Sequence, residues 1–150
     1  VPLPGLQGMD HVGFTVPDIE QAHVFFVGLL GCEHVGSVAV QRWDDDWLRD
    51  HMNVGPGAEI TAIRTYRSPA GSGFEVFEYA RARQRREQPR NDDAGGHHLA
   101  FRVADMGSAV AFLREQGITV LGEPSAAGEG SWVYFLSPWG MQLELVSATA

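Results

Sequence analysis

The alternation of apolar and polar positions divides the chain into two similar halves. Val12, Phe14 and Val16 alternate with His11, Gly13 and Thr15, and Leu99, Phe101 and Val103 alternate with His98, Ala100 and Arg102. A period of two belongs to a strand with one buried face, so each segment predicts a strand whose histidine points away from the core. Asp18 and Asp105 then stand where a helix N-cap belongs. The runs behind them carry apolar residues at helical spacing: Ile19, Ala22, Phe26 and Leu29 in the first, Met106, Ala109, Val110 and Leu113 in the second. Gly31 and Gly117 follow as C-terminal caps.

Strand-like runs come next, Glu33 to Val40, Glu59 to Tyr66 and Gly73 to Ala80 in the first half, Ile118 to Leu121, Ser131 to Leu136 and Met141 to Ser147 in the second. The order strand, helix, three strands thus occurs twice, and His11-Val-Gly-Phe-Thr-Val-Pro-Asp18 recurs 87 positions later as His98-Leu-Ala-Phe-Arg-Val-Ala-Asp105. The fold class expected is α+β: two tandem βαβββ modules forming a cupped, mostly antiparallel sheet with outer helices. The modules are placed at 8–80 and 97–148, joined by a linker at 81–96 in which five of the eleven arginines gather around Pro89 and Asn91-Asp92-Asp93. That arginine run reads as a solvated connector in preference to an anion site. The first half is 18 positions longer between its histidine and its last-strand glutamate, an excess falling largely at Arg42 to Asn53. This aromatic and charged stretch is too irregular for a strand or a clean amphipathic helix, and reads either as a lid or substrate loop or as a mobile surface excursion.

Composition narrows the function. At 150 residues with 44% hydrophobic positions the chain can bury a core of its own. A net charge of −8 repels phosphate backbones and anionic lipid, which argues against nucleic-acid and membrane partners. All eleven basic residues are arginine, so Schiff-base and phosphate-loop lysines are excluded. Cys32 stands alone, no stretch reaches the roughly 20 apolar residues of a membrane span, and no charged-then-apolar segment opens the chain; these features point to a cytoplasmic protein.

Each half closes on a strand with a carboxylate between apolar neighbours, Phe74-Glu75-Val76-Phe77 and Leu143-Glu144-Leu145. A single such glutamate is ordinarily the solvent face of a half-buried strand, and a lone His98 reads as a core histidine bonded to a carbonyl. The repeat changes both readings. One histidine from the first strand and one glutamate from the last, taken twice, give His11, Glu75, His98 and Glu144 as convergent ligands. Two imidazoles and two carboxylates suit one divalent ion (Zn, Ni, Co, Mn or Fe) and leave two adjacent positions for neighbouring substrate oxygens. Gly13 and Ala100 leave room on that face. His97 and Glu78 compete for the same roles, but the register of the repeat selects His98 and Glu75 and turns the other two away.

Met9-Asp-His-Val-Gly-Phe-Thr-Val-Pro-Asp18, Gly95-Gly-His-His-Leu-Ala-Phe101 and Ser137-Pro-Trp-Gly-Met-Gln-Leu-Glu-Leu-Val146 resemble the vicinal oxygen chelate superfamily. That group includes glyoxalase I, methylmalonyl-CoA epimerase, extradiol dioxygenases, fosfomycin-modifying thiol transferases and bleomycin-binding proteins. The resemblance spans both halves and implies metal ligands at His11, Glu75, His98 and Glu144, and a homodimer whose modules pair within or between chains. It also bears on the reaction, because ring-cleaving members keep two histidines and one glutamate, whereas Glu75 fills the remaining position here. The expectation is a metal-dependent lyase or isomerase of the glyoxalase or epimerase type, acting on a small molecule through an enolate or enediolate, with Glu75 and Glu144 as catalytic carboxylates. The alternatives are an Fe(II)-dependent ring-cleaving dioxygenase and a non-catalytic small-molecule binding or resistance protein. Trp43, Trp47, Phe77, Tyr79, Trp132 and Trp139 are candidate pocket walls or core residues, and His51 and Arg64 candidate polar contacts.

Overall fold

The computed structural model describes residues 3–148, and the chain divides after Gln84 into two compact units. The first unit holds β1 (Val12–Val16), α1 (Ile19–His23) running into a π-helical turn (Val24–Leu29), β2 (Glu33–Ser37), α2 (Asp45–Met52), β3 (Glu59–Arg67) and β4 (Gly73–Ala80). The second holds β5 (Leu99–Arg102), α3 (Met106–Glu115), β6 (Val120–Ala127), β7 (Gly130–Leu136) and β8 (Gln142–Ser147). Each unit builds a four-stranded sheet of one topology, β1-β4-β3-β2 and β5-β8-β7-β6, in which the first and last strands pair in parallel and the remaining pairs are antiparallel. The repeated βαβββ unit is therefore the architecture of each half. Among the described residues no helix is long and apolar enough to cross a membrane.

The repeat extends to register. Gly13 lies opposite Glu75 and Ala100 opposite Glu144, so each small residue faces the glutamate of its own half. The neighbours of these glutamates, Phe74 and Val76 in β4 and Leu143 and Leu145 in β8, are buried. In the first unit they join Val16, Ile19, Ala22, Phe26 and Tyr66, with the Phe26 ring 4.9 Å from Phe74 and 5.9 Å from Phe14. In the second, Met106, Val110 and Leu113 of α3 bury with Val133 and Phe135. The glutamates thus fall on the face away from the core because side chains alternate along a strand.

Local chemistry places the helices. The Asp18 carboxylate accepts from the Glu20 and Gln21 amides at 2.9 Å, and Asp105 accepts from the Ser108 amide at 2.7 Å. Gly31 and Gly117, both at φ 74°, end the helical segments in the left-handed conformation glycine adopts without strain. The inner face of the first helix differs from the expected one. Its π-helical turn, with the Leu30 amide bonded to the Phe25 carbonyl at 3.0 Å, turns both Phe25 and Phe26 inward and leaves Leu29 half-exposed.

Two other elements depart from the sequence expectation. The irregular Arg42 to Asn53 stretch contains a regular helix: Asp44 caps α2 through the Trp47 amide at 2.8 Å, and Asn53 closes it at φ 52°. Only Leu48 of this helix is buried, packing with Ile60 and Ile63, which explains why a short helix with one core residue shows little periodicity. β6 runs to Ala127, well past Leu121, because a bulge between Leu121 and Ser125 absorbs Gly122 and Pro124 on a sheet edge, where breakers of a central strand are tolerated.

Candidate functional site

The structure gathers the four candidate ligands as two equivalent pairs, one in each unit. His11 Nε2 lies 3.1 Å from Glu75 Oε2, and His98 Nε2 lies 3.0 Å from Glu144 Oε2. In each case the histidine stands immediately before the first strand, and the parallel neighbour presents the glutamate at the level of the next small residue. Neither unit by itself brings three or more His, Cys, Asp or Glu side chains together as a metal-holding group among the described residues. Each unit supplies half of the expected donor set.

The pairs differ in what stands behind the histidine. His11 Nδ1 lies 2.6 Å from the Asp10 carboxylate, and that bond, together with the Glu75 charge, holds the His11 imidazole above its ordinary range. His98 instead packs edge-on against the ring of Tyr134, with centroids 5.1 Å apart. Tyr134 lies opposite Glu144, and Trp132, two residues earlier, meets it edge-on at 5.4 Å. Asp10 and Tyr134 were not among the candidates from sequence. The signal for Tyr134 is its alternation with Trp132, which puts both rings on one face of β7. For Asp10 it is adjacency to His11 alone.

Donor chemistry fits a divalent ion. Each pair sets an imidazole nitrogen and a carboxylate oxygen side by side, 3.1 and 3.0 Å apart, and those donor types suit a divalent ion. Each nitrogen of the His11 ring faces a carboxylate, Nδ1 that of Asp10 and Nε2 that of Glu75, so a proton or a cation stands between Nε2 and Glu75.

The competing residues are otherwise engaged. Glu78 lies on the far face of β4, where its carboxylate accepts from the Ile19 amide at 2.7 Å and from the Thr61 hydroxyl; with Asp18 it satisfies the first amides of α1. His97 donates from Nδ1 to the Gly95 carbonyl at 2.9 Å. Arg64, a candidate polar contact, lies opposite the buried Val76 and so on the helix-covered face, where it pairs with Glu20 of α1. That pairing raises the Arg64 guanidinium and lowers the Glu20 carboxyl from their ordinary ranges, and it removes Arg64 from the face of Glu75.

The remaining aromatic candidates of the first unit form one wall. Trp43, Trp47 and His51 stack as near-parallel rings, 4.7 and 4.5 Å between successive centroids, and His51 Nδ1 donates to the Trp47 carbonyl at 3.0 Å. Trp43 and Trp47 pack with Phe77 and Tyr79 around Leu48, Ile60 and Ile63. Burial pushes the Tyr79 phenol up. Phe77 shares the Glu75 face of β4, and a Cβ built on Gly13 would lie 3.6 Å from its ring, so the wall reaches the residue beside His11.

Comparison with known proteins gives the family of the chain. Residues 10–135 match the model of the Glyoxalase/Bleomycin resistance protein/Dioxygenase superfamily, and the chain belongs to that family. It is 42% identical over 154 residues to a 2-epi-5-epi-valiolone epimerase from Actinomyces sp., covering 99% of this chain and 83% of the relative. It is 30% identical over 132 residues to an ethylmalonyl-CoA/methylmalonyl-CoA epimerase from Cereibacter sphaeroides, covering 87% of each. Among solved structures, a glyoxalase family protein from Bacillus cereus superposes with a TM-score of 0.77 at 19% identity, covering 99% of this chain and 100% of that one. The fosfomycin resistance protein FosX from Listeria monocytogenes, solved with Mn(II) and sulfate, gives 0.60 at 16% identity and covers 96% of this chain and 94% of that one.

Proposed function

We propose that this protein is a divalent-metal-dependent epimerase that inverts a carbon next to a carbonyl in a small polyhydroxy ketone of the 2-epi-5-epi-valiolone kind. The observation that carries the reading is the His–Glu pair repeated in both units with donors 3.1 and 3.0 Å apart. Identity of 42% across 99% of the chain to a 2-epi-5-epi-valiolone epimerase supports the substrate class. A hydroxyl beside a ketone is itself a pair of vicinal oxygens.

His11 and Glu75 from one unit and His98 and Glu144 from the other would supply the donors for the ion. A divalent ion bound there supplies Lewis-acid polarisation of adjacent substrate oxygens, which lowers the cost of charge on the ketone oxygen once the neighbouring carbon loses its proton. The chain supplies the proton traffic. Glu75 takes the proton from the carbon beside the carbonyl, the electron pair moves onto the ketone oxygen as an enolate, and Glu144 in its acid form returns a proton to the opposite face. Glu75 then gives its proton to solvent and Glu144 takes one up, which restores both carboxyls for the next turnover, and in D₂O the proton returned to carbon is a deuteron. The Trp43–Trp47–His51 wall and Phe77 orient the apolar face of the ring beside Glu75.

The test is incubation of Mn(II)- or Co(II)-loaded protein with 2-epi-5-epi-valiolone in D₂O, followed by NMR. The expected result is a second diastereomer with deuterium at the inverted carbon. Failure of the loaded protein to exchange that hydrogen overturns the substrate class. The relative from Cereibacter sphaeroides makes methylmalonyl-CoA the next compound to try. Oxygen uptake in place of exchange would return the ring-cleaving reading.

A further inference from the structure

We propose that Asp10 is a positioning residue for His11: its carboxylate holds the Nδ1–H and thereby commits Nε2, the nitrogen facing Glu75, as the lone-pair donor. The inference rests on the reading of His11 and Glu75 as metal ligands.

A neutral imidazole carries one N–H and one lone pair, and the partner of one nitrogen decides the state of the other. An ionised carboxylate only accepts. At 2.6 Å from Asp10 Oδ2, His11 Nδ1 is the more tightly held nitrogen, so when the ring carries a single proton it stays there, and Nε2, 3.1 Å from Glu75 Oε2, is the nitrogen a cation can take. A carboxylate behind a ligating histidine fixes the ring's rotation, selects its tautomer and makes its free nitrogen a better donor.

The second unit lacks this device. The position before His98 is His97, whose Nδ1–H goes to the Gly95 carbonyl, and His98 is braced by the Tyr134 ring. One histidine is held by a charge and the other by an aromatic edge. The two donors are then unequal, with His11 the one whose affinity a single exposed residue controls. The Asp10 side chain is 96% exposed, so replacing it removes no core packing.

Two measurements test the proposal on Asp10→Ala, Asp10→Asn and the wild type. Long-range ¹H–¹⁵N correlation of the metal-free protein reads the His11 tautomer directly. At a pH above the raised range of the ring, where it carries one proton, the wild type is expected in the Nδ1–H form, and Asp10→Ala is expected to move toward the Nε2–H form. Competition of Mn(II) or Co(II) against a chelator reads affinity, with a loss of about 10–100-fold expected for Asp10→Ala. Asp10→Asn should fall between, since its amide oxygen still accepts but carries no charge. His97→Ala should bind like the wild type. Asp10→Ala with the wild-type tautomer, or with affinity within about twofold of wild type, overturns the proposal. A wild-type chain that binds neither ion overturns the metal reading instead, and the tautomer measurement still decides whether Asp10 sets the ring.

Discussion

At the scale of single residues, the proposed epimerisation rests on Glu75. An amide oxygen can still coordinate, but a neutral amide cannot take a proton, so Glu75→Gln should keep its metal and lose epimerisation by about 10²–10⁴-fold. Metal content and deuterium incorporation, measured on the same preparation, check this. If the variant exchanges as fast as the wild type, the carboxylate is a bystander. Glu78→Gln, three residues on, should leave metal bound, because Glu78 accepts from the Ile19 amide on the opposite face of the strand. The choice between these glutamates was legible from the repeat, since Glu75 shares the register of Glu144. The engagement of Arg64 with Glu20 was not, because pairing between positions 44 apart depends on which face each element buries.

At the scale of elements, the two N-caps carry separable consequences. Asp18→Ala removes the acceptor of two α1 amides and should cost about 0.5–2 kcal/mol in denaturant unfolding. The bond from the Ser108 amide lowers the Asp105 carboxyl below its ordinary range. A depressed native value means that the cap's contribution is complete above the unfolded value of about 3.9 and is lost as pH falls through the native one. Thermal melts of Asp105→Ala should therefore fall below wild type at neutral pH and converge with it in acid. A gap that persisted below about pH 2 would show that the residue acts by packing. In α2, Leu48 is the one buried residue, and Leu48→Ala should destabilise by about 2–5 kcal/mol and loosen the Trp43–Trp47 stack, visible as increased tryptophan exposure to quencher. The caps were legible because an N-cap is a local interaction within four residues. α2 was not, because a helix with one buried residue shows no apolar period to read.

At the scale of the whole molecule, the number of ions bound per chain tests the four-donor reading. If both His–Glu pairs serve one ion, elemental analysis should find one metal per 16.4 kDa chain, and His11→Ala and His98→Ala should each abolish most binding. Independent half-sites would each survive loss of the other. Sedimentation at twice the chain mass would support the homodimer, and a monomer would count against it. The duplicated βαβββ order, the caps and the pairing of one histidine with one glutamate in each half were determined by the sequence itself, because alternation, helical spacing and repeat register are set by covalent spacing and local backbone preference. Only the tertiary structure decided that the parallel pairing of first and last strands brings each Nε2 within about 3 Å of its glutamate. It alone set Asp10 behind one histidine and Tyr134 beside the other, folded α2 against Ile60 and Ile63, and turned Arg64 toward Glu20. These contacts join positions tens of residues apart or depend on side-chain direction, and both are resolved only when the sheets form and their faces are buried.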